Sequence, residues 1–305
     1  MRTLLGSNLV ARRSFATQSD KLRIGVFGGS GMYEMEDLEN VREEKLTTPF
    51  GDPSDAFIVG EFGGAELVFL PRHGRGHRFT PSEVNYRANV FGMKMLGVSW
   101  AMSFTAVGSL QEEIVPGHFV LPDSFIDRTY RRESTFFGDG IVAHVQFGNP
   151  VCDTLRGYLA NACEECGVTT HNGGTCVTME GPAFSTKAES ILHKSWGAKI
   201  IGMTQVQEAK LCREAEISYA TCALATDYDC WREGHDAVTV EEVVNTMKTN
   251  VINARAVLKA VVPAIQAHPG EAPMANALAG AIMTAPDCIP RDRAAALAPL
   301  VGKYC

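Results

Sequence analysis

The chain of 305 residues is 45% hydrophobic, enough to bury a core of ordinary size in one large domain or two small ones. Its 35 acidic residues outnumber 28 basic ones, and no long basic run interrupts the middle of the sequence, which argues against nucleic acid as a partner. Gly, Asp, Arg or Pro breaks every apolar run before the roughly 20 residues a bilayer crossing needs, so a soluble protein with no membrane partner is expected.

Residues 1–19 carry Arg2, Arg12 and Arg13, several Ser and Thr, and no acid before Asp20. This composition fits either a mitochondrial presequence or a short extension ahead of the fold, so residues 1–21 are set apart. The fold begins at Leu22, where a β-branched run ends in Gly28-Gly29-Ser30-Gly31. Similar apolar runs follow at Ala65–Leu70, Trp100–Thr105, Phe119–Leu121, Lys199–Met203 and Ile217–Thr226. Helical patterns lie at Pro81–Leu96, Val151–Cys166, Thr186–Trp196, Glu208–Ala215 and Val240–Ile265. Alternation of this kind predicts an α/β fold around a largely buried central sheet, and the absence of a linker predicts one domain over 22–265. Residues 266–305 turn to Ala, Pro and Gly and read as a divergent C-terminal tail. The nine cysteines, odd in number and scattered through apolar segments, indicate a reducing compartment, with the cytoplasm and nucleus expected unless residues 1–19 direct the chain to the mitochondrion. Cys163 and Cys166 spell C-x-x-C without a second pair, and are expected to end a helix at Gly167 rather than hold zinc.

Three clusters at strand ends carry chemistry. Gly28-Gly29-Ser30-Gly31 offers backbone N–H groups and a hydroxyl to an anion, although a plain turn is the commoner use of such glycines, and the dinucleotide spacing G-x-G-x-x-G is missing. Arg72-His73-Gly74-Arg75-Gly76-His77 places four potentially cationic side chains within six residues, which implies either a solvated loop or a phosphate or carboxylate ligand. Zinc on His73 and His77 is the poorer reading, because two arginines oppose a dication. Thr226-Asp227-Tyr228-Asp229 puts two carboxylates at a strand terminus, either as solvent-facing turn residues or with one held in a pocket as an acid.

These segments, with Asn85-Tyr86, Thr105-Ala106-Val107-Gly108-Ser109-Leu110, Glu180-Gly181-Pro182, Ala188-Glu189-Ser190 and Met203-Thr204, together resemble the trimeric purine nucleoside phosphorylases across residues 22–265. Phe125-Ile-Asp-Arg-Thr129 and Ala225-Thr-Asp-Tyr-Asp-Cys-Trp231 look like the branch of that family acting on 5′-methylthioadenosine. The resemblance implies a twisted mixed sheet flanked by helices, a homotrimer, and phosphorolysis of methylthioadenosine to adenine and 5-methylthioribose 1-phosphate in purine and methionine salvage. Inorganic phosphate is then a co-substrate, and no cofactor or metal is implied.

By the same resemblance, phosphate is held by Ser30, Arg72, His73, Thr105, Ala106 and Thr204, where charge-assisted hydrogen bonds contribute ~1.5–3 kcal/mol each. Met203 would lie against the ribose. Asp227 and Asp229 would face the purine as the catalytic pair, with Ser185 and Asp227 in place of the Glu and Asn of 6-oxopurine relatives. Phe184 would help close the site, and His144 would reach the 5′ group of a neighbouring subunit. Val240, Val243 and Val244 form an apolar i, i+3, i+4 face that spacing alone assigns to helix packing and that the resemblance assigns to a methylthio pocket. Gln205, Gln207 and Glu216 depart from the family pattern, which usually has Thr or Ser, Pro and Gly there, and Val244 replaces a common Leu.

Overall fold

The computed structural model describes residues 21–28, 31, 32, 35–232 and 240–305, without the side chains of Glu242 and Val243. The N-terminal segment through residue 20, Ser30 and the Val243 side chain therefore lie outside the described residues. In chain order the elements are β1 (Arg23–Gly28), β2 (Glu39–Glu44), β3 (Phe57–Phe62), β4 (Ala65–Pro71), α1 (Tyr86–Met95), β5 (Trp100–Ser109), β6 (Phe119–Leu121) and β7 (Ser124–Arg128). They continue with α2 (Asp153–Glu165), β8 (Thr170–Asn172), β9 (Thr175–Met179), α3 (Lys187–Ser195), β10 (Ile200–Gly202), α4 (Gln205–Glu214), β11 (Ser218–Asp227) and α5 (Val240–Gln266). Two short helices close the chain, α6 (Arg291–Ala296) and α7 (Ala298–Val301).

One mixed sheet of 11 strands organises the molecule, in the order β2-β3-β4-β1-β5-β10-β9-β7, with β11, β6 and β8 branching from β5. The central strands β1, β4, β5 and β11 run parallel to one another and are buried almost throughout. That is why they read in the sequence as continuous apolar runs rather than alternating ones. The edge strand β2, Glu-Asn-Val-Arg-Glu-Glu, is exposed, and its charges discourage pairing with another chain. β11 pairs with β5 from Trp100 to Gly108 and so occupies one whole edge of it. On the other edge, β1 pairs with β5 only through Ser103, and antiparallel β10 begins at Gly108. Among the described residues, 104–107 have no strand neighbour on that side.

Helices cover both faces. α2 and α5 pack one apolar layer that includes Leu155, Leu159, Leu258 and Val262, while α1 and α4 pack the other with Phe91, Met93, Leu211 and Cys212. Cys166 caps α2 and Gly167 follows with φ +67°, as the C-x-x-C segment suggested. The tail after residue 266 joins the second layer through Leu278, Leu297, Leu300 and Val301. Its anchor is Glu216, which stands at φ +58°, a conformation that explains the glycine usual there. The buried Glu216 carboxylate accepts from the Leu278 N–H at 3.1 Å and the Tyr304 hydroxyl at 2.5 Å, and pairs with Lys303 at 2.8 Å.

Candidate active site

The unpaired stretch of β5 lies at the carboxyl ends of β1 and β4, where open α/β sheets collect ligands. Arg72, the residue after β4, turns inward and is buried. Its Nε donates to Glu208 Oε1 at 2.5 Å and its Nη2 to Glu208 Oε2 at 3.2 Å, a bidentate pair, while Nη2 also reaches Ser103 Oγ at 2.5 Å and Nη1 the Phe104 carbonyl at 3.3 Å. Burial works against the charge, and the Glu208 carboxylate outweighs it, so the guanidinium stays above its ordinary range. One Nη1 hydrogen remains uncommitted among the described residues.

His73 follows. A carbonyl can only accept, so the 2.9 Å contact between Nδ1 and Phe79 O makes Nδ1 the protonated nitrogen. Burial and the adjacent Arg72 push the ring down to about 4, leaving it neutral with the Nε2 lone pair free to accept. The rest of the cationic loop is neutralised from elsewhere in the chain: Arg75 pairs with Glu43 at 2.7 Å and Asp55 at 3.5 Å, and Arg78 with Asp55 at 3.6 Å. His77 stacks on His73 with ring centroids 4.3 Å apart. Arg75, His77 and Arg78 are exposed, which fits the solvated alternative for this part of the loop, and carboxylates that the local pattern does not contain add countercharge.

Thr204 sits ahead of α4. Its N–H donates to Gln205 Oε1 at 3.0 Å, but its buried hydroxyl finds no partner among the described residues and does not cap the helix. β10 runs antiparallel to β5 with Ile201 opposite Gly108, so the chain that follows it to Thr204 heads toward the open stretch of β5, where Thr105 and Ala106 lie. Helix α4 starts at Gln205 rather than at Glu208, as the periodicity had placed it. The reason is that Gln205, Gln207, Glu208, Arg213 and Glu214 are all buried, which erases the amphipathic period.

At the end of β11, Asp227 folds over Gly108. A Cβ at Gly108 would stand 3.0 Å from Asp227 Oδ1 and 3.2 Å from Asp229 Cβ, so the pair packs closely over this glycine and a side chain here would press on it. The Thr226 hydroxyl donates to Asp227 Oδ2 at 2.7 Å and the Asp229 N–H to Oδ1 at 2.8 Å. Asp229 adopts φ +50°, and its buried Oδ2 has no partner among the described residues. Trp231 Nε1 donates to Ser109 O at 2.7 Å and pins this loop to β5. Ser185 is brought alongside, since the Cys230 thiol donates to its carbonyl at 3.1 Å. Met203 lies against Gly181, where a Cβ would come within 2.6 Å of its Sδ.

The remaining predicted residues stay open. Phe184, Val240 and Val244 are 49%, 69% and 46% exposed, and His144 is exposed with no hydrogen bond, ion pair or ring contact from its imidazole among the described residues. Sequence reasoning did not single out Glu208, the partner of Arg72, or Arg132, which donates to the carbonyls of Met203 and Glu180. Glu180 stood in a quoted motif without a role, Gln207 stood out only as a departure, and Arg132 offered no local signal. A cavity of about 940 Å³ lies at the other end of the sheet, bordered by Arg23, Lys94, Glu216 and Lys303, and the strand-end clusters contribute nothing to it.

A neutral imidazole, an uncommitted guanidinium hydrogen, an idle hydroxyl and open backbone suit a tetrahedral oxyanion, and a carboxylate loop stands beside them. Fold and site are thus those of an α/β protein with groups suited to an oxyanion next to a carboxylate loop. The chain belongs to the phosphorylase superfamily, whose model matches residues 23–263. It is 54% identical to the S-methyl-5′-thioadenosine phosphorylase of Geobacter sulfurreducens over 282 residues, 92% of this chain and 98% of that one. The enzyme of the same name from Thermosynechococcus vestitus is 54% identical over 285 residues, 92% and 99% of the two chains. Among solved structures, a methylthioadenosine phosphorylase from an antarctic soil metagenomic library superposes with a TM-score of 0.88 at 44% identity, covering 92% of this chain and 99% of that one. A mutant of adenosine/methylthioadenosine phosphorylase from Schistosoma mansoni, in complex with methylthioadenosine, gives 0.76 at 39% identity, covering 81% and 93%.

Proposed function

We propose that this protein cleaves 5′-methylthioadenosine with inorganic phosphate, giving adenine and 5-methylthioribose 1-phosphate. The observation that carries this reading is the gap on β5 between β1 and β10, edged by Arg72, His73, Thr105, Ala106 and the unpartnered Thr204 hydroxyl, with Asp227 at the end of the neighbouring strand. The names of the relatives at 54% identity support the same substrate.

Phosphate in this gap attacks C1′ of the ribose as the bond to N9 breaks, and its negative charge stabilises the oxocarbenium character that develops there. His73 Nε2, a lone pair, accepts the hydroxyl of hydrogenphosphate and leaves its other oxygens free to attack. Adenine leaves poorly as an anion, so Asp227 supplies a proton to N7. The Thr226 hydroxyl and Asp229 N–H bonds strengthen as that carboxylate forms, which lowers the cost of giving up the proton. Met203 lies under the ribose, while Ser185 and Asp229 orient the base. The 5′ group falls toward Val240 and Val244, whose exposure in one chain is consistent with closure by a neighbouring subunit that contributes His144, in a trimer. No cofactor enters this scheme.

Comparing methylthioadenosine, adenosine and inosine in phosphate buffer tests the reading. Methylthioadenosine should give the highest kcat/KM and inosine the lowest; inosine cleaved as fast as methylthioadenosine would overturn the base assignment.

A further inference from the structure

Two strand ends meet above the candidate phosphate gap, and one buried guanidinium joins them. Arg132 belongs to the segment after β7, and only 1% of its side chain is exposed. Its Nη1 donates to the Met203 carbonyl, to Gln207 Oε1 at 3.0 Å and to the Tyr86 hydroxyl at 3.3 Å. Its Nη2 donates to the Glu180 carbonyl and to Met179 O at 3.3 Å, and Nε to Ser82 Oγ at 3.3 Å. The Glu180 carboxylate, 3.6 Å from Nε, supplies the countercharge and also accepts from the Tyr130 N–H at 2.8 Å and from the Ser82 hydroxyl.

What these acceptors share is their position. Met203 immediately precedes Thr204, whose buried hydroxyl has no partner among the described residues, and Gln207 lies in the first turn of α4. Met179 ends β9, and Glu180 leads into the Gly181–Ser185 loop that reaches the Asp227 segment through Cys230. The Met203 thioether packs against Gly181, so the two strand ends are neighbours. A planar fork with donors on both sides is the group that can hold two carbonyls in fixed relation, whereas an ammonium offers donors from a single point.

We infer that Arg132 is a positioning residue that fixes Met203–Thr204 and Glu180–Ser185 relative to each other, setting the phosphate and nucleoside subsites together. This rests on the function proposed above. Nε, Nη1 and Nη2 all donate to protein acceptors on both segments, so its loss should act on both subsites at once. Displacements of about 1 Å at such sites cost up to ~100-fold in rate.

The test is Arg132→Lys, with Arg132→Ala alongside, each checked for folding by near-ultraviolet circular dichroism. Arg132→Lys should raise KM for phosphate and for methylthioadenosine together, by ~10-fold or more. It should also shrink the thermal shift produced by inorganic phosphate alone. Guanidinium ion at millimolar concentration should restore part of the activity of Arg132→Ala where methylammonium does not. A merely structural role would lower the active fraction, so apparent kcat would fall with both KM values unchanged, and that result overturns the inference. If Arg132→Ala does not fold, Arg132→Lys alone decides. Failure of the proposed function looks different: the wild-type protein would show no phosphate-dependent cleavage, while the phosphate thermal shift would still report on Arg132.

Discussion

Glu208→Gln separates the two charges at the floor of the site while keeping the shape of the side chain. The carboxylate accepts from Arg72 at 2.5 and 3.2 Å and from the Tyr219 hydroxyl at 2.9 Å. Glutamine retains one acceptor and turns the other into a donor facing donors, so Arg72 becomes a buried, uncompensated cation. Removing one partner of a buried pair costs ~3–5 kcal/mol. At ~2 °C per kcal/mol for a chain of this length, Tm should fall by ~6–10 °C in phosphate-free buffer. Phosphate then supplies the missing negative charge, so the phosphate-induced rise in Tm should be larger in the variant than in the wild type. Calorimetry with and without phosphate reads both numbers. A Tm within ~1 °C of wild type in phosphate-free buffer would contradict the energetic argument, and equal phosphate shifts in the two proteins would show that Arg72 does not face the anion.

Three further outcomes follow from the same geometry. Asp227→Asn should lower turnover by ~10²–10⁴-fold, the usual contribution of a general acid, while the phosphate thermal shift persists; steady-state kinetics beside thermal melts check this. Thr204→Val should leave stability within ~0.5 kcal/mol of wild type, because the hydroxyl has no partner among the described residues, yet raise the KM for phosphate ~10–100-fold for a lost bond to a charged group. Burial pushes Glu214 up to about 7, against the donors Phe136 N–H and Thr135 Oγ. The folded state therefore holds a proton that the unfolded state releases near 4.5, and stability is lost as pH rises between 4.5 and about 7. Glu214→Gln should accordingly be more stable than wild type at pH 8, by up to ~3 kcal/mol, with the gain fading below pH 5; urea melts across that range decide it.

Those elements that announce themselves locally were legible. The strands β1, β4, β5 and β11 read as apolar runs because they are buried on both faces, and each ends in a glycine, hydroxyl or charge cluster. β2 is polar and exposed, β7 is half-buried and ends in Asp127 and Arg128, and β8 spans only Thr170–Asn172, so none offered a run to find, whereas β3 did offer one in the buried Phe57, Ile58 and Val59 that the reading passed over. The strand-end clusters pointed to the gap on β5, but not to what neutralises it. Arg72 and Glu208 are 136 positions apart and Arg132 and Met203 are 71, separations at which no periodicity links them. The tail resisted for a similar reason: its hold on the domain is Glu216, a buried carboxylate in a left-handed turn, and residues 266–305 carry no period of their own.

The most direct measurement is phosphorus NMR of methylthioadenosine incubated with the protein and inorganic phosphate, with adenine followed in parallel. One sugar 1-phosphate should appear for each adenine released, and release should stop when phosphate is withheld. Adenine released at the same rate without phosphate, with a free sugar as the product, would mean that water is the nucleophile and that the cradle around Arg72 and Thr204 serves something else.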